Sequence, residues 1–158
     1  MAQPNSLPPR AVIDANVIIR SVPSPKGGSA LIRQSIYQRR CILITSREHL
    51  NEVFRVLGRF RMQHRYGINE HDRKRLISRL YQRATMVSIT SYLDICRDPK
   101  DNYLIELALA GQATHLVSED LDLHNDPTVI ALLLQFGVRL VDVKGFLFEL
   151  PRLRSSPD

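Results

Sequence analysis

The chain has 158 residues, 44% hydrophobic and 24% charged, with a net charge of +6 and a pI near 9.7. That is enough for one domain with a substantial core and too little for two ordinary ones. No stretch approaches the roughly 18 to 20 apolar residues of a membrane span, Met1 to Arg10 holds prolines and polar residues instead of a signal-type apolar run, and Cys41 and Cys96 lack metal-type spacing, so a reduced cytoplasmic protein is expected.

Residues 1–9 and 151–158 are rich in Pro and Ser and are expected to be flexible, which leaves 10–150 as the domain. Ala11-Val-Ile reads as a first strand. Leu31, Ile32, Ser35 and Ile36 form one helical stripe, and Cys41-Ile-Leu-Ile a second strand. A helix is expected after Thr45, with Glu48 closing a capping box and Leu50, Val53, Phe54 and Leu57 facing the core. Leu76, Ile77, Leu80 and Tyr81 mark a third helix, and Met86-Val-Ser-Ile a third strand. A helix from about Asn102 is stopped by Gly111, His115-Leu-Val is a fourth strand, Asp126-Pro127 opens a helix stopped by Gly137, and Val138-Arg-Leu-Val is a fifth strand. Strands and helices alternate, which predicts an α/β fold: a parallel five-stranded sheet with helices on both faces and ligands beyond the carboxyl ends of the strands.

Charge is unevenly placed. From Arg55 to Arg83 the chain carries net +7, through residues that include Arg55, Arg59, Arg61, Arg65, Arg73, Lys74 and Arg75; from Asp98 to Asp126 it carries net −6. The basic stretch is either a solvated helix pair or a surface that holds a phosphate backbone by counterion release. An acidic neighbour would repel nucleic acid without it, which favours the second reading.

The acids recur at strand ends. Asp14 follows the first strand within Val12-Ile-Asp-Ala-Asn, where it either caps the turn or holds a ligand. Glu119, Asp120 and Asp122 follow the fourth strand, and a parallel sheet puts them on the same edge as Asp14. Asp98 before Pro99 suits a helix cap, with Asp101 in the first turn, and Glu52 faces either solvent or a cleft. Carboxylates converging on one edge repel unless cations lie between them. All-oxygen donors with room for water and phosphate suit Mg²⁺ or Mn²⁺, whereas none of the five histidines has zinc spacing; His115 and His124 read as structural or surface residues.

Asp14 with Asn16, Glu52, Asp101, and then Ser118-Glu-Asp120-Leu-Asp122, in that order over residues 11 to 145, resemble the PIN-domain family of metal-dependent nucleases and, within it, the VapC-like toxins of toxin-antitoxin pairs. Asp98-Pro-Lys-Asp-Asn-Tyr resembles one branch of such toxins. The resemblance implies a Rossmann-like sheet and an acidic pocket for one or two Mg²⁺ or Mn²⁺ ions. Asp14, Glu52, Asp101 and Asp120 would be the metal and catalytic quartet, Asp122 would support them, and Asn16 and Ser118 would position Asp14 or the substrate. It implies hydrolysis of RNA phosphodiester bonds, with one ion acidifying the attacking water and one stabilising the departing 3′ oxygen to leave a 5′-phosphate. A small antitoxin protein would be a partner, and a homodimer fits the family. Two departures stand out: Ser118 replaces a common Thr, and Glu119 is an unusual neighbour for Asp120.

The rivals fit less well. A haloacid-dehalogenase-type phosphohydrolase needs a second Asp where Asn16 stands, and a response-regulator receiver needs an acidic pair that is missing near Asp14. The serious alternative is a PIN fold that binds nucleic acid or protein without turnover.

Overall fold

A computed structural model describes residues 7–90, 93–94 and 98–150. In chain order these form β1 (Arg10–Ile13), α1 (Ala15–Arg20), α2 (Gly28–Tyr37), β2 (Ile42–Thr45), α3 (Arg47–Leu57), α4 (Phe60–Tyr66), α5 (Glu70–Arg83), β3 (Ala84–Met86), α6 (Pro99–Ala110), β4 (His115–Val117), α7 (Leu121–His124), α8 (Pro127–Gln135), β5 (Arg139–Val141) and α9 (Val143–Glu149). The five strands make one sheet in the order β3-β2-β1-β4-β5, every pair parallel. The expected α/β architecture is therefore present, and the strand order reverses between β1 and β4, where a parallel sheet opens a crevice.

Alternation along the strands sends side chains to opposite faces. Ala11, Ile13, Leu43 and Val117 join a core shared with α1, α2, α3, α5 and α9, while Val12, Ile44 and Leu116 join a second core beneath α6, α7 and α8. Nearly continuous burial of β1, β2 and β4 follows from helices covering both faces. Cys41 is buried in the first core, which pushes its thiol up to about 12. Cys96 lies outside the described residues.

Two expectations need correction. The third strand was expected at Met86–Ile89 but occupies Ala84–Met86: Ala84, the C-cap of α5, is already extended and pairs with Leu43, so the register with β2 is set as soon as the helix ends. Val87 and Ile89 pack on the second core; the Val87 amide makes the last bond to β2, donating to the Thr45 carbonyl at 2.8 Å. The second correction concerns α3. Its N-cap is Ser46, not a residue paired with Glu48; the Ser46 hydroxyl accepts from the His49 amide at 3.1 Å, so Glu48 has no capping-box role. The caps of the later helices match expectation, with Asp98 accepting from the Lys100 amide before Pro99, and Asp126 from the amides of Thr128 and Val129 before Pro127. Four short helices, α1, α4, α7 and α9, carry too few turns to produce a periodic stripe and were not anticipated.

Candidate metal and phosphodiester site

Above the β1–β4 reversal lies a cavity of about 630 Å³. Six carboxylates line it: Asp14 after β1, Glu48 and Glu52 on α3, Asp98 at the N-cap of α6 with Asp101 in its first turn, and Asp120 after β4. Each is placed by local chemistry. Asp14 is the N-cap of α1, its Oδ1 accepting from the Asn16 amide at 3.1 Å. Its Oδ2 accepts from the buried hydroxyl of Ser118 at 2.8 Å, and that same hydroxyl accepts from the Asp120 amide at 3.1 Å. Asp120 is the N-cap of α7 and accepts from the Asp122 amide at 2.9 Å. Ser118 thus joins two carboxylates from different strand ends, while His124 braces its backbone, with Nε2 2.6 Å from the Ser118 carbonyl.

The neighbours of Asp120 separate cleanly. Glu119 turns away, its Oε1 accepting from the Val143 amide at the start of α9 at 3.0 Å. Asp122 is exposed and opens onto an adjoining depression shared with Asp98 and Asp101. Asn16 is exposed at the cavity rim.

Electrostatics mark the same spot. Asp101 is only 9% exposed, and burial first, then the charges of Asp120, Asp98, Asp14 and Asp122, raise its carboxyl from 3.8 to about 6. Glu52 is half-buried and pairs with the Lys100 ammonium at 3.3 Å, so a largely exposed lysine supplies positive charge beside the carboxylates. Among the described residues, no three His, Cys, Asp or Glu side chains stand close enough to share one ion as they are placed. The donor set is nevertheless all-oxygen, and its crowding is of the kind that a hard dication relieves.

Residue spacing alone overlooked part of the lining. His49, one turn before Glu52, is fully buried, and burial lowers its pKa. Its Nε2 lies 2.7 Å from the Ile13 carbonyl, which can only accept, so Nε2 carries the proton; Nδ1 is left without a protein partner. Tyr103 lies beside it at a ring separation of 6.4 Å and hydrogen-bonds the Ser46 hydroxyl; burial is the main reason that its pKa is raised, and Glu48 adds to the shift. Helical spacing of three to four residues from Glu52 was the signal that could have found His49 and Glu48, while Lys100 is the chain neighbour of Asp101.

The basic residues split into two groups. Arg55 lines the cavity, and Arg59, Arg61 and Arg65 lie exposed at and along α4. Arg73 is instead folded over Phe54, its guanidinium 4.3 Å from the ring centre and donating to the Phe54 carbonyl at 3.1 Å. Lys74 pairs with Glu70 at 2.9 Å, and Arg75 borders a smaller groove near Tyr37.

A family model described as the PIN domain matches residues 10–122. The chain belongs to the PIN domain family. That match spans β1 through the start of α7, so it covers all six carboxylates that line the cavity. PIN domains are a nuclease-type fold that typically uses divalent metals, and the carboxylates of the open cavity at the sheet reversal are compatible with that chemistry. No curated protein and no solved structure matches the chain. No helix among the described residues is long and apolar enough to cross a membrane.

Proposed function

We propose that this PIN domain is a Mg²⁺- or Mn²⁺-dependent endoribonuclease, the toxin of a toxin-antitoxin pair in the cytoplasm. The observation that carries the reading is the meeting of Asp14, Glu52, Asp101 and Asp120 on one cavity at the reversal of a parallel sheet. These four would hold the metal, and rotation of Glu52 away from Lys100 would complete the set. When bound, a dication supplies Lewis acidity, easing deprotonation of water and neutralising charge on the leaving oxygen. The chain does the rest: Ser118 orients Asp14, Asp122 adds negative charge behind Asp101, and Asn16 reaches the rim where a phosphate would enter. Lys100, freed from Glu52, would face the phosphate, and Arg55 with the α4 arginines would hold the neighbouring backbone. A small antitoxin would neutralise the enzyme by covering this cavity.

The test is incubation of purified protein with RNA and Mn²⁺. The wild type should cut, leaving 5′-phosphate ends, and Asp14→Asn should abolish cutting while the protein stays folded. Tight RNA binding without metal-dependent cleavage would instead favour a binding module. For the toxin reading, expression should arrest growth, and co-expression of a short neighbouring reading frame should relieve the arrest.

A further inference from the structure

Helix α4 (Phe60–Tyr66) has no buried residue; it is tied to the first core chiefly through half-buried Met62. A helix so placed would ordinarily be polar all round. Instead it carries exposed rings: Phe60 is 73% and Tyr66 44% exposed, and Phe60 stacks on exposed His64 with ring centres 4.5 Å apart at 24°. Cations are interleaved with them, as Arg59, Arg61 and Arg65 accompany the rings and Arg65 lies 5.5 Å from the Tyr66 ring centre. No Asp or Glu occurs from Arg55 to Asn69.

Exposed rings beside unopposed cations fit a polyanion that has flat apolar groups of its own, which describes a nucleic-acid strand with its bases unpaired. A duplex hides those faces, and an apolar protein partner would not match the charge. The helix also follows directly on an element that reaches the carboxylate cavity: α3 presents Glu52 and then Arg55 to it and ends at Leu57, roughly 8 Å beyond Glu52 at 1.5 Å per residue and three residues before α4 begins. We infer that α4 is a stacking platform for unpaired bases of a strand whose backbone runs into the carboxylate cavity. The platform rests on the proposed nucleic-acid reading of that cavity and deepens it: Phe60 and Tyr66 receive bases, and Arg61 and Arg65 hold phosphates.

The experiment is equilibrium binding of the full chain, in EDTA, to two labelled single strands of equal length, an oligouridylate and its abasic counterpart. Phe60→Ala should weaken oligouridylate binding by roughly 5- to 100-fold and leave the abasic strand nearly unchanged. Arg61→Gln with Arg65→Gln should weaken both strands and flatten their salt dependence. Phe60 belongs to neither core, so its removal leaves the fold in place. Equal loss on both strands, no loss on either, or no binding by the wild type would overturn the platform; so would a wild-type dimer that Phe60→Ala splits, since a second copy would then be what covers the helix. Cleavage with Mn²⁺ on the same preparations separates the two readings: a chain that cuts RNA but fails the abasic comparison loses only the platform, and one that passes it without cutting keeps the platform and loses the nuclease reading.

Discussion

The hydroxyl of Ser118, buried behind the cavity, donates to Oδ2 of Asp14 at 2.8 Å and so ties the end of β4 to the end of β1. With the Asn16 amide on Oδ1, this bond fixes the direction in which Asp14 presents its remaining lone pairs. Ser118→Ala removes the hydroxyl and leaves Asp14 free to turn. The expected result is a fall of roughly 10- to 100-fold in Mn²⁺ affinity and a stability loss of about 1 kcal/mol. Ser118→Thr keeps the hydroxyl and should restore the affinity; a Thr variant as impaired as Ala would show that the serine acts through packing alone.

Asp101 gives the site a pH signature. Its folded carboxyl sits near 6, above its ordinary 3.8, so the native state holds a proton that the unfolded state has released. The stabilisation from this group is present in acid, below about 3.8, and is lost as pH rises through about 6. Asp101→Asn should therefore stabilise the metal-free protein at pH 8 by about 1 kcal/mol, after allowing for solvent screening at the open cavity, and hardly at all at pH 4. Thermal melts in EDTA at the two pH values check this. Equal effects at both would mean that burial and the neighbouring carboxylates do not raise the group.

Lys100 competes with a cation for Glu52. Its ammonium is mostly exposed, so the pair adds little to stability, and Lys100→Met should leave the melting temperature nearly unchanged. Mn²⁺ binding should tighten by roughly 3- to 10-fold, because a like charge beside a dication is removed. Calorimetric titration reads this directly, and weaker binding would indicate that Lys100 organises the site.

Gly111 ends α6 where the helix crosses the sheet. A Cβ there would collide with Ile44 Cγ2 and press on the Leu107 carbonyl, both parts of the second core region. Gly111→Ala should cost about 1–3 kcal/mol from overpacking. Denaturant unfolding measures it; a neutral result would mean that Ile44 can shift without penalty.

Much of the fold was legible because the strands are short apolar runs and the longer helices carry strong end signals. Asp98-Pro99 and Asp126-Pro127 cap the helices that they announce, and Gly111 ends α6. The third strand was misplaced because Met86–Ile89 is the more apolar run, yet pairing with Leu43 recruits Ala84 and Thr85 directly behind α5. Hydrophobicity records burial, not the ladder. At α3, both Thr45 and Ser46 could cap; the one that does is decided by where β2 ends.

For the site, carboxylates at strand ends could be gathered on paper because parallel topology puts those ends on one edge, and Asp14, Glu52, Asp101 and Asp120 do line one cavity. What spacing could not convey was orientation. Glu119 and Asp120 are adjacent in the chain but serve different elements, Arg73 is spent on Phe54, and a buried His49 lies under the site with one nitrogen unpartnered. Such roles depend on side-chain direction, which the order of residues does not encode.

The most direct test of the metal site is anomalous diffraction from a crystal soaked in Mn²⁺. A peak coordinated by carboxylate oxygens of Asp14, Asp101 and Asp120, with Glu52 turned from Lys100 toward the ion, is the predicted result. A cavity that stays empty at saturating Mn²⁺, or an ion bound only at the outer depression near Asp122, would contradict the account.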